Sequence, residues 1–334
     1  MAGRGTRLRP FTLSRPKPLL EIIDKPIVEH LIDQITSTLS SEIEEIVYIL
    51  GEEAYFDSTV VDSLTLISKK YNAKTKVYRQ LDKLGTGHAI MCAEESLSGP
   101  AIIAYADTMI QGKIEIDLKA DGMIWVKKVE DPSSYGVVNL DEEHNIKELI
   151  EKPKDFVSDL AVVGIYYFKE SSFLRDELKR HLKEKLEPGR EYLLNYGIEK
   201  MIEKNKIFKS QEIEIWMDCG TPQLLLESAK TIMKSKEKYS NENNFSREGK
   251  VIINDPVFIG KNVSLKNSTL GPNVSIGNNC VITDSKIQSS IVYNDSNISN
   301  ANISNSILGS NCNYDGSNKE IFLGDYSQIN NNEK

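Results

Sequence analysis

Met1-Ala2-Gly3-Arg4-Gly5-Thr6-Arg7-Leu8-Arg9-Pro10 opens the chain, and Pro16-Lys17-Pro18 follows it closely. Gly3 and Gly5 allow a tight turn whose backbone N–H groups point inward as an anion-binding nest. Arg7 adds a planar positive fork matched to phosphate oxygens. Lys17, set between two prolines, sits on a backbone with little freedom. A glycine turn, an arginine and a rigidly presented lysine read as a polyphosphate site. A Walker A loop would end in Gly-Lys-Ser/Thr, where this chain has Gly5-Thr6-Arg7. A dinucleotide fingerprint needs a third glycine where Leu8 stands. Neither motif applies.

Composition narrows the classes. A length of 334 residues suggests two domains. The net charge of -8 and pI near 5.3 argue against a nucleic-acid or membrane-surface binder, which would present a basic face. Cys92, Cys219, Cys280 and Cys312 are scattered without metal-type spacing and read as reduced thiols of a cytoplasmic protein. No apolar run reaches the ~20 residues of a membrane span, and the N-terminus lacks the apolar core of a signal peptide.

Up to about Lys238 apolar strand-like runs alternate with helical patterns. Residues 27–39 are apolar at helical spacing, 46–50 form a short apolar run before Gly51, and 55–71 return to helical period. Residues 76–78, 101–106 and 122–126 read as strands, and 87–95 as a helix. Continuous apolar strands separated by helices predict an α/β fold, a doubly wound, mainly parallel sheet covered on both faces. Residues 239–250 read as a linker. From 251 to 316 isolated aliphatics recur every five or six residues: Ile259, Leu265, Leu270, Ile276, Ile282, Ile287, Val292, Ile298, Ile303, Leu308. This is the hexapeptide signature of a parallel β-helix whose corners are turned by small polar residues. Residues 317–334 read as a polar tail.

With these pieces in place, the chain resembles the sugar-1-phosphate nucleotidyltransferases that end in a left-handed β-helix, with the glucose-1-phosphate thymidylyltransferases the nearest in pattern. Residues 3–10 with Lys17-Pro18 match that family's opening, Gln80 precedes Leu84-Gly85-Thr86-Gly87-His88-Ala89, and Asp107-Thr108 ends an apolar strand. Trp216-Met217-Asp218-Cys219-Gly220-Thr221-Pro222, Tyr135-Gly136-Val137-Val138, Glu151-Lys152-Pro153 and Val163-Gly164-Ile165-Tyr166 complete the set. The resemblance implies a nucleotide-diphospho-sugar transferase fold. It implies that Ala2, Gly3, Gly5, Thr6 and Arg7 wrap a nucleoside triphosphate, with Lys17 on the reacting phosphates. Gln80, Gly85 and Thr86 would read the base. Asp107 and Asp218 would share a magnesium ion. Gly136, Glu151, Lys152 and Val163 would hold the sugar-1-phosphate. Two departures stand out: Gly87 replaces the commoner Ala, and Ala106 replaces a Gly. Residues 191–195 match the family only loosely and receive no role.

A sugar-1-phosphate is mostly a dianion at pH 7, so it needs no general base and no protein nucleophile. The demand on the protein is to bring two anions together and stabilise the leaving pyrophosphate. Acyl transfer on the β-helix is disfavoured, because His30, His88, His144 and His181 all precede the repeats. Stacked coils commonly protect their ends by association, so a homo-oligomer is expected. In the family a short apolar strand leads into the glycine loop, and an upstream extension of about four to eight apolar residues is therefore expected, because an unpaired central strand position costs roughly 1–3 kcal/mol per orphaned backbone group. Intact-mass measurement of protein from its natural source checks this; a mass beginning at Met1 would refute it.

Overall fold

The computed structural model describes residues 1–39, 42–235, 245–316 and 320–330. It divides into two compact units: Met1–Gly3 with Leu31–Trp216, and Arg4–His30 with Met217–Lys334.

In the first unit, strands β1 (Glu45–Leu50) and β2 (Lys74–Arg79) pair in parallel. The helix between them, Ser58–Lys70, starts where the Asp57 side chain accepts hydrogen bonds from the Thr59 and Val60 N–H groups at 3.0 and 3.1 Å. Its buried face is Val60, Leu64 and Ile67, the apolar positions at helical spacing.

The larger sheet contains β3 (Ala101–Ala104), β4 (Gly122–Lys128), β5 (Gly136–Leu140), β6 (Ile146–Glu151), β7 (Leu160–Phe168) and β8 (Phe208–Glu212). Strand β7 lies at its centre and runs antiparallel to β3, β4 and β5, whereas β8 runs parallel to β4. Thus β3, β4, β5 and β8 share one direction, and two strands run against them, β7 at the centre and β6, which pairs antiparallel with β5. A strand buried on both faces reads as the same apolar run in either direction, so its reversal leaves no mark on the pattern. Both faces are covered. Ile124 and Val126 pack with Leu174, Leu178, Ile198 and Met201 on one side. Met123 and Trp125 pack with Leu31 and Ile35 on the other. This alternation of neighbours is the period of two that a strand imposes.

The second unit contains a parallel β-helix of about five turns whose strands, among the described residues, form three sheets, of six, four and five strands. Each aliphatic residue of the predicted series, from Ile259 to Leu308, is buried inside it. Coils stack in register, Leu265 on Ile282 on Ile298 on Tyr314. The corners recur at Asn262, Asn267, Asn273, Asn279, Asp284, Ser289, Asp295, Asn300, Asn305 and Asn311, all with left-handed φ between 43° and 60°. Asn and Asp enter that region more easily than other residues with a Cβ, which accounts for the asparagine-rich composition. Buried serines close the remaining gaps. Ser285 Oγ donates to the Thr283 carbonyl at 2.6 Å and accepts from the Ala301 N–H of the next coil at 3.1 Å.

The β-helix ladder extends past 251–316 at both ends. Strand Phe245–Glu248, inside the expected linker, pairs with Val263–Lys266. Phe322–Leu323 and Gln328–Asn330, inside the expected tail, stack on Ile307–Leu308 and Asn313–Asp315. End coils take their order from the ladder beneath them, so their own sequence need not repeat strictly. Among the described residues none of the cysteines forms a disulfide, and no described helix is long and apolar enough to cross a membrane.

The corner conformation is testable. Asn279→Ala should lower unfolding free energy by about 1 kcal/mol because alanine resists the left-handed region, and Asn279→Gly should cost less. Urea denaturation followed by circular dichroism compares them; equal losses would discard the conformational explanation.

Candidate active site

In the second unit the opening loop folds around Gly5. Its φ of 59° starts the 3₁₀ turn Thr6–Leu8 that carries Arg7. A Cβ on Gly5 would lie 3.0 Å from Lys17 Cβ and 3.1 Å from Thr12 Cγ2, so glycine lets Lys17 pack directly on the loop. Thr12 Oγ1 donates to the Gly5 carbonyl at 2.8 Å and ties the turn shut. Lys17 heads a second 3₁₀ turn, Lys17–Leu19, and is only 7% exposed. The family-like segment at Trp216 brings Asp218 to the same neighbourhood. Asp218 Oδ1 and Arg7 Nη2 lie 3.0 and 3.2 Å from the point a Cβ on Gly220 would occupy. Arg7 and Asp218 thus flank one glycine.

Ala2 and Gly3 belong to the first unit. The Ala2 carbonyl lies 2.8 Å from where a Cβ on Gly51 would stand, and Gly3 faces open space. The remaining expected residues also lie in this unit. Gln80 follows β2 and is buried; its Nε2 donates to the Gly85 carbonyl at 3.0 Å and faces His88 Nδ1 at 3.1 Å. Gly85 has φ 108°, and residues 84–87 lie against residues 191–194. The Tyr192 N–H donates to the Leu84 carbonyl at 2.8 Å, the Gly87 N–H to the Tyr192 carbonyl at 2.7 Å, and the Leu194 N–H to Thr86 Oγ1 at 3.0 Å. The segment left without a role in the sequence is the strap that holds the Gly85 turn.

Thr86 is also hydrogen-bonded to Tyr105, which packs in turn against Tyr166. Burial pushes the Tyr105 phenol up, and the charges of Glu151 and Asp107 push the same way, so Tyr105 stays protonated at neutral pH. Asp107 follows β3 in a turn closed by the Thr108 N–H on the Tyr105 carbonyl at 3.1 Å. Glu151, the last residue of β6, sits opposite Gly136 in register. Its Oε2 accepts from Asn195 Nδ2 at 3.2 Å and lies 3.0 Å from the Cβ position of Gly136. Lys152 is held at φ 47°, with its Nζ 3.9 Å from Glu151 Oε1 and its side chain largely exposed. Such a conformation costs a lysine roughly 1–2 kcal/mol, and strain of this kind collects at functional sites. Val163 is buried, and its carbonyl accepts from Thr108 Oγ1 at 3.0 Å.

One run of contacts therefore joins Gln80, Gly85 and Thr86, through Leu194, to Asn195, Glu151 and Gly136, with Tyr105 branching from Thr86. Tyr105 and Asn195 were not singled out by the sequence, although Tyr105 lies two residues before Asp107. Among the described residues no group of three or more His, Cys, Asp or Glu side chains forms a metal cage.

Residues 1–235 match the family model described as Nucleotidyl transferase, and the chain belongs to that family. It is 32% identical over 268 residues to the protein named "Bifunctional protein GlmU" of Methanococcus maripaludis, an alignment covering 78% of this chain and 61% of the relative. To the "Mannose-1-phosphate guanyltransferase" of Gibberella zeae it is 31% identical over 280 residues, covering 78% of this chain and 72% of the relative. The chain spans about 60% of the length of the GlmU relatives it matches. In fold it is similar to a putative glucose-1-phosphate thymidylyltransferase from Bacillus anthracis, with a TM-score of 0.58 at 24% identity over 71% of this chain and 94% of that one. A UDP-glucose pyrophosphorylase complexed with UDP-glucose gives 0.56 at 23% identity, over 70% and 97%.

The Gly87 departure has a steric cause. A Cβ there would lie 2.9 Å from the carbonyl oxygens of both Tyr192 and Leu193. Gly87→Ala should therefore cost about 1–3 kcal/mol by overpacking against the strap. Chemical denaturation measures it; an unchanged or raised stability would mean that the strap yields freely.

Proposed function

We propose that this nucleotidyl transferase joins a nucleoside triphosphate to a sugar-1-phosphate. A phosphate oxygen of the sugar-1-phosphate attacks the α-phosphorus, a new P–O bond forms, and the bond to the β-phosphate breaks to release pyrophosphate. The observation that carries this reading is the run of contacts from Gln80 to Glu151, which links a base-reading end to a sugar-holding end within one unit.

The roles follow from chemistry. Both amide protons of Gln80 are directed inside the protein, toward Gly85 and His88, which leaves Oε1 to accept from a base. Thymine offers a ring N–H for that acceptor. Glu151 and Asn195 supply an acceptor and a donor for sugar hydroxyls, and the exposed Lys152 ammonium meets the sugar phosphate. Tyr105, kept protonated, is a neutral donor between the two ends. Arg7 and Lys17 neutralise the triphosphate and the charge that develops on leaving pyrophosphate. Magnesium held by Asp107 and Asp218 would add charge neutralisation on the phosphate oxygens. The presence of Lys17, Asp107 and Asp218 together favours catalysis over a binding-only relative.

The preferred pair is thymidine triphosphate with glucose-1-phosphate. Uracil and guanine also carry a ring N–H, and relatives named for mannose-1-phosphate guanylyl transfer favour guanosine triphosphate with mannose-1-phosphate as the second reading. A panel of nucleoside triphosphates crossed with sugar-1-phosphates, read by pyrophosphate release, tests both. Background release for every pair from folded protein would reject the reaction. Asp107→Asn and Asp218→Asn should each lower turnover at least about a hundredfold, the scale of losing one transition-state electrostatic contact. Chelation should abolish wild-type activity and added magnesium restore it. Full activity in both variants would remove the metal assignment.

A further inference from the structure

Within the second unit, a cavity of about 250 Å³ opens where the hairpin of strands Glu21–Ile22 and Lys25–Pro26 faces the β-helix. None of the residues assigned to phosphoryl chemistry lines it. Its floor is apolar, made of Ile23 and Ile259, both buried, and Phe258. Its rim is polar and mixed. Glu21 and Asp24 line it on the hairpin side, and Lys261, Asn278 and Asn294 on the β-helix side.

The two asparagines have a fixed orientation. Asn278 Oδ1 accepts from the Lys261 N–H, and Asn294 Oδ1 accepts from the Asn278 N–H, each at 2.7 Å. With their oxygens committed to the coil ladder, their Nδ2 groups have no protein partner among the described residues and remain as donors. Donors on one wall and carboxylate acceptors on the other match hydroxyl groups, which need both. An apolar floor suits the C–H face of a sugar ring. The acidic residues in the lining disfavour phosphates and nucleotides. The volume falls below the ~300–1,000 Å³ typical of drug-sized ligands, which limits an occupant to about one sugar ring.

We propose that this cavity binds a single uncharged, polyhydroxylated ring, a neutral monosaccharide, at a site separate from the catalytic residues. The hairpin begins directly after the Lys17–Leu19 turn, and Tyr293 Oη donates to the Glu21 carbonyl at 3.0 Å, so the pocket wall is braced against the β-helix.

The test uses the full chain and isothermal titration with glucose, mannose, galactose and N-acetylglucosamine, with inorganic phosphate as the charged probe. At least one of the sugars should bind saturably, and phosphate should not compete. Lys261→Trp fills the mouth from an exposed position while keeping the backbone N–H bonded to Asn278. Glu21→Ala removes one acceptor and leaves the carbonyl that holds Tyr293. Each should weaken sugar binding at least tenfold, whereas Glu151→Gln should leave it unchanged. If one variant melts without cooperativity, the other carries the comparison, since they lie on opposite walls. Absence of binding by all four sugars overturns the proposal. So does binding lost in Glu151→Gln but kept in the cavity variants, which would put the sugar in the catalytic site. The pyrophosphate assay is read separately, so failure of the proposed reaction would leave this isotherm intact.

Discussion

A β-helix coil has room for only a few inward side chains, so its stability depends on every coil matching its backbone to the coil beneath. The corners are where that matching is hardest, because the chain must turn sharply while its N–H and C=O groups stay paired. Left-handed asparagines solve the turn, and stacked side chains such as Asn279 Nδ2 on Asp295 Oδ1 at 2.9 Å continue the ladder outside it. Buried serines complete it from within. The platform so built also carries part of the N-terminal region. Ser14 Oγ donates to Asp325 Oδ2 at 2.5 Å, Tyr293 Oη holds the Glu21 carbonyl, and Pro10 packs on Gly324. The residues that present Arg7 and Lys17 thus share a compact unit with the β-helix. The repeats are a support for the loop that carries Arg7 and Lys17 as well as an appendage.

In the first unit the site is organised by backbone as much as by side chains. Residues 191–194 lie so close to residues 84–87 that a Cβ at Gly85 would come 2.6 Å from the Tyr192 carbonyl. Three hydrogen bonds hold the two segments together and fix the turn that Gln80 reads. Tyr105 extends the same network toward Asp107 and Glu151. Its burial keeps the phenol neutral beside two carboxylates, where an ionised group would be repelled. Asn195 then orients Glu151 from the side of the strap.

Much of this was legible because it depends on local rules. The apolar period of 55–71 identified a helix, although it runs Ser58–Lys70 and Asp57, not Tyr55, starts it. The five-to-six-residue aliphatic series identified the β-helix, and every one of its members is buried. The glycines of the opening loop marked a tight turn, and Gly5 is left-handed there. Less legible were features set by partners distant in sequence. The reversed direction of β7 leaves the apolar pattern unchanged. The end coils at 245–248 and 328–330 take their register from neighbours. Gly87 looked like a mild departure until the carbonyls of Tyr192 and Leu193 were found against it.

Periodicity and turn chemistry act over a few residues, so the sequence by itself determined the α/β alternation, the β-helix core and the glycine turn of the opening loop. Tertiary structure decided which segments meet: the strap of residues 191–195 on the Gly85 turn, Tyr105 among Thr86, Asp107 and Glu151, and Arg4–His30 in one unit with the β-helix. The first and last of those contacts join residues a hundred or more positions apart. Their geometry depends on close backbone approach and burial, which no local pattern of residue types records.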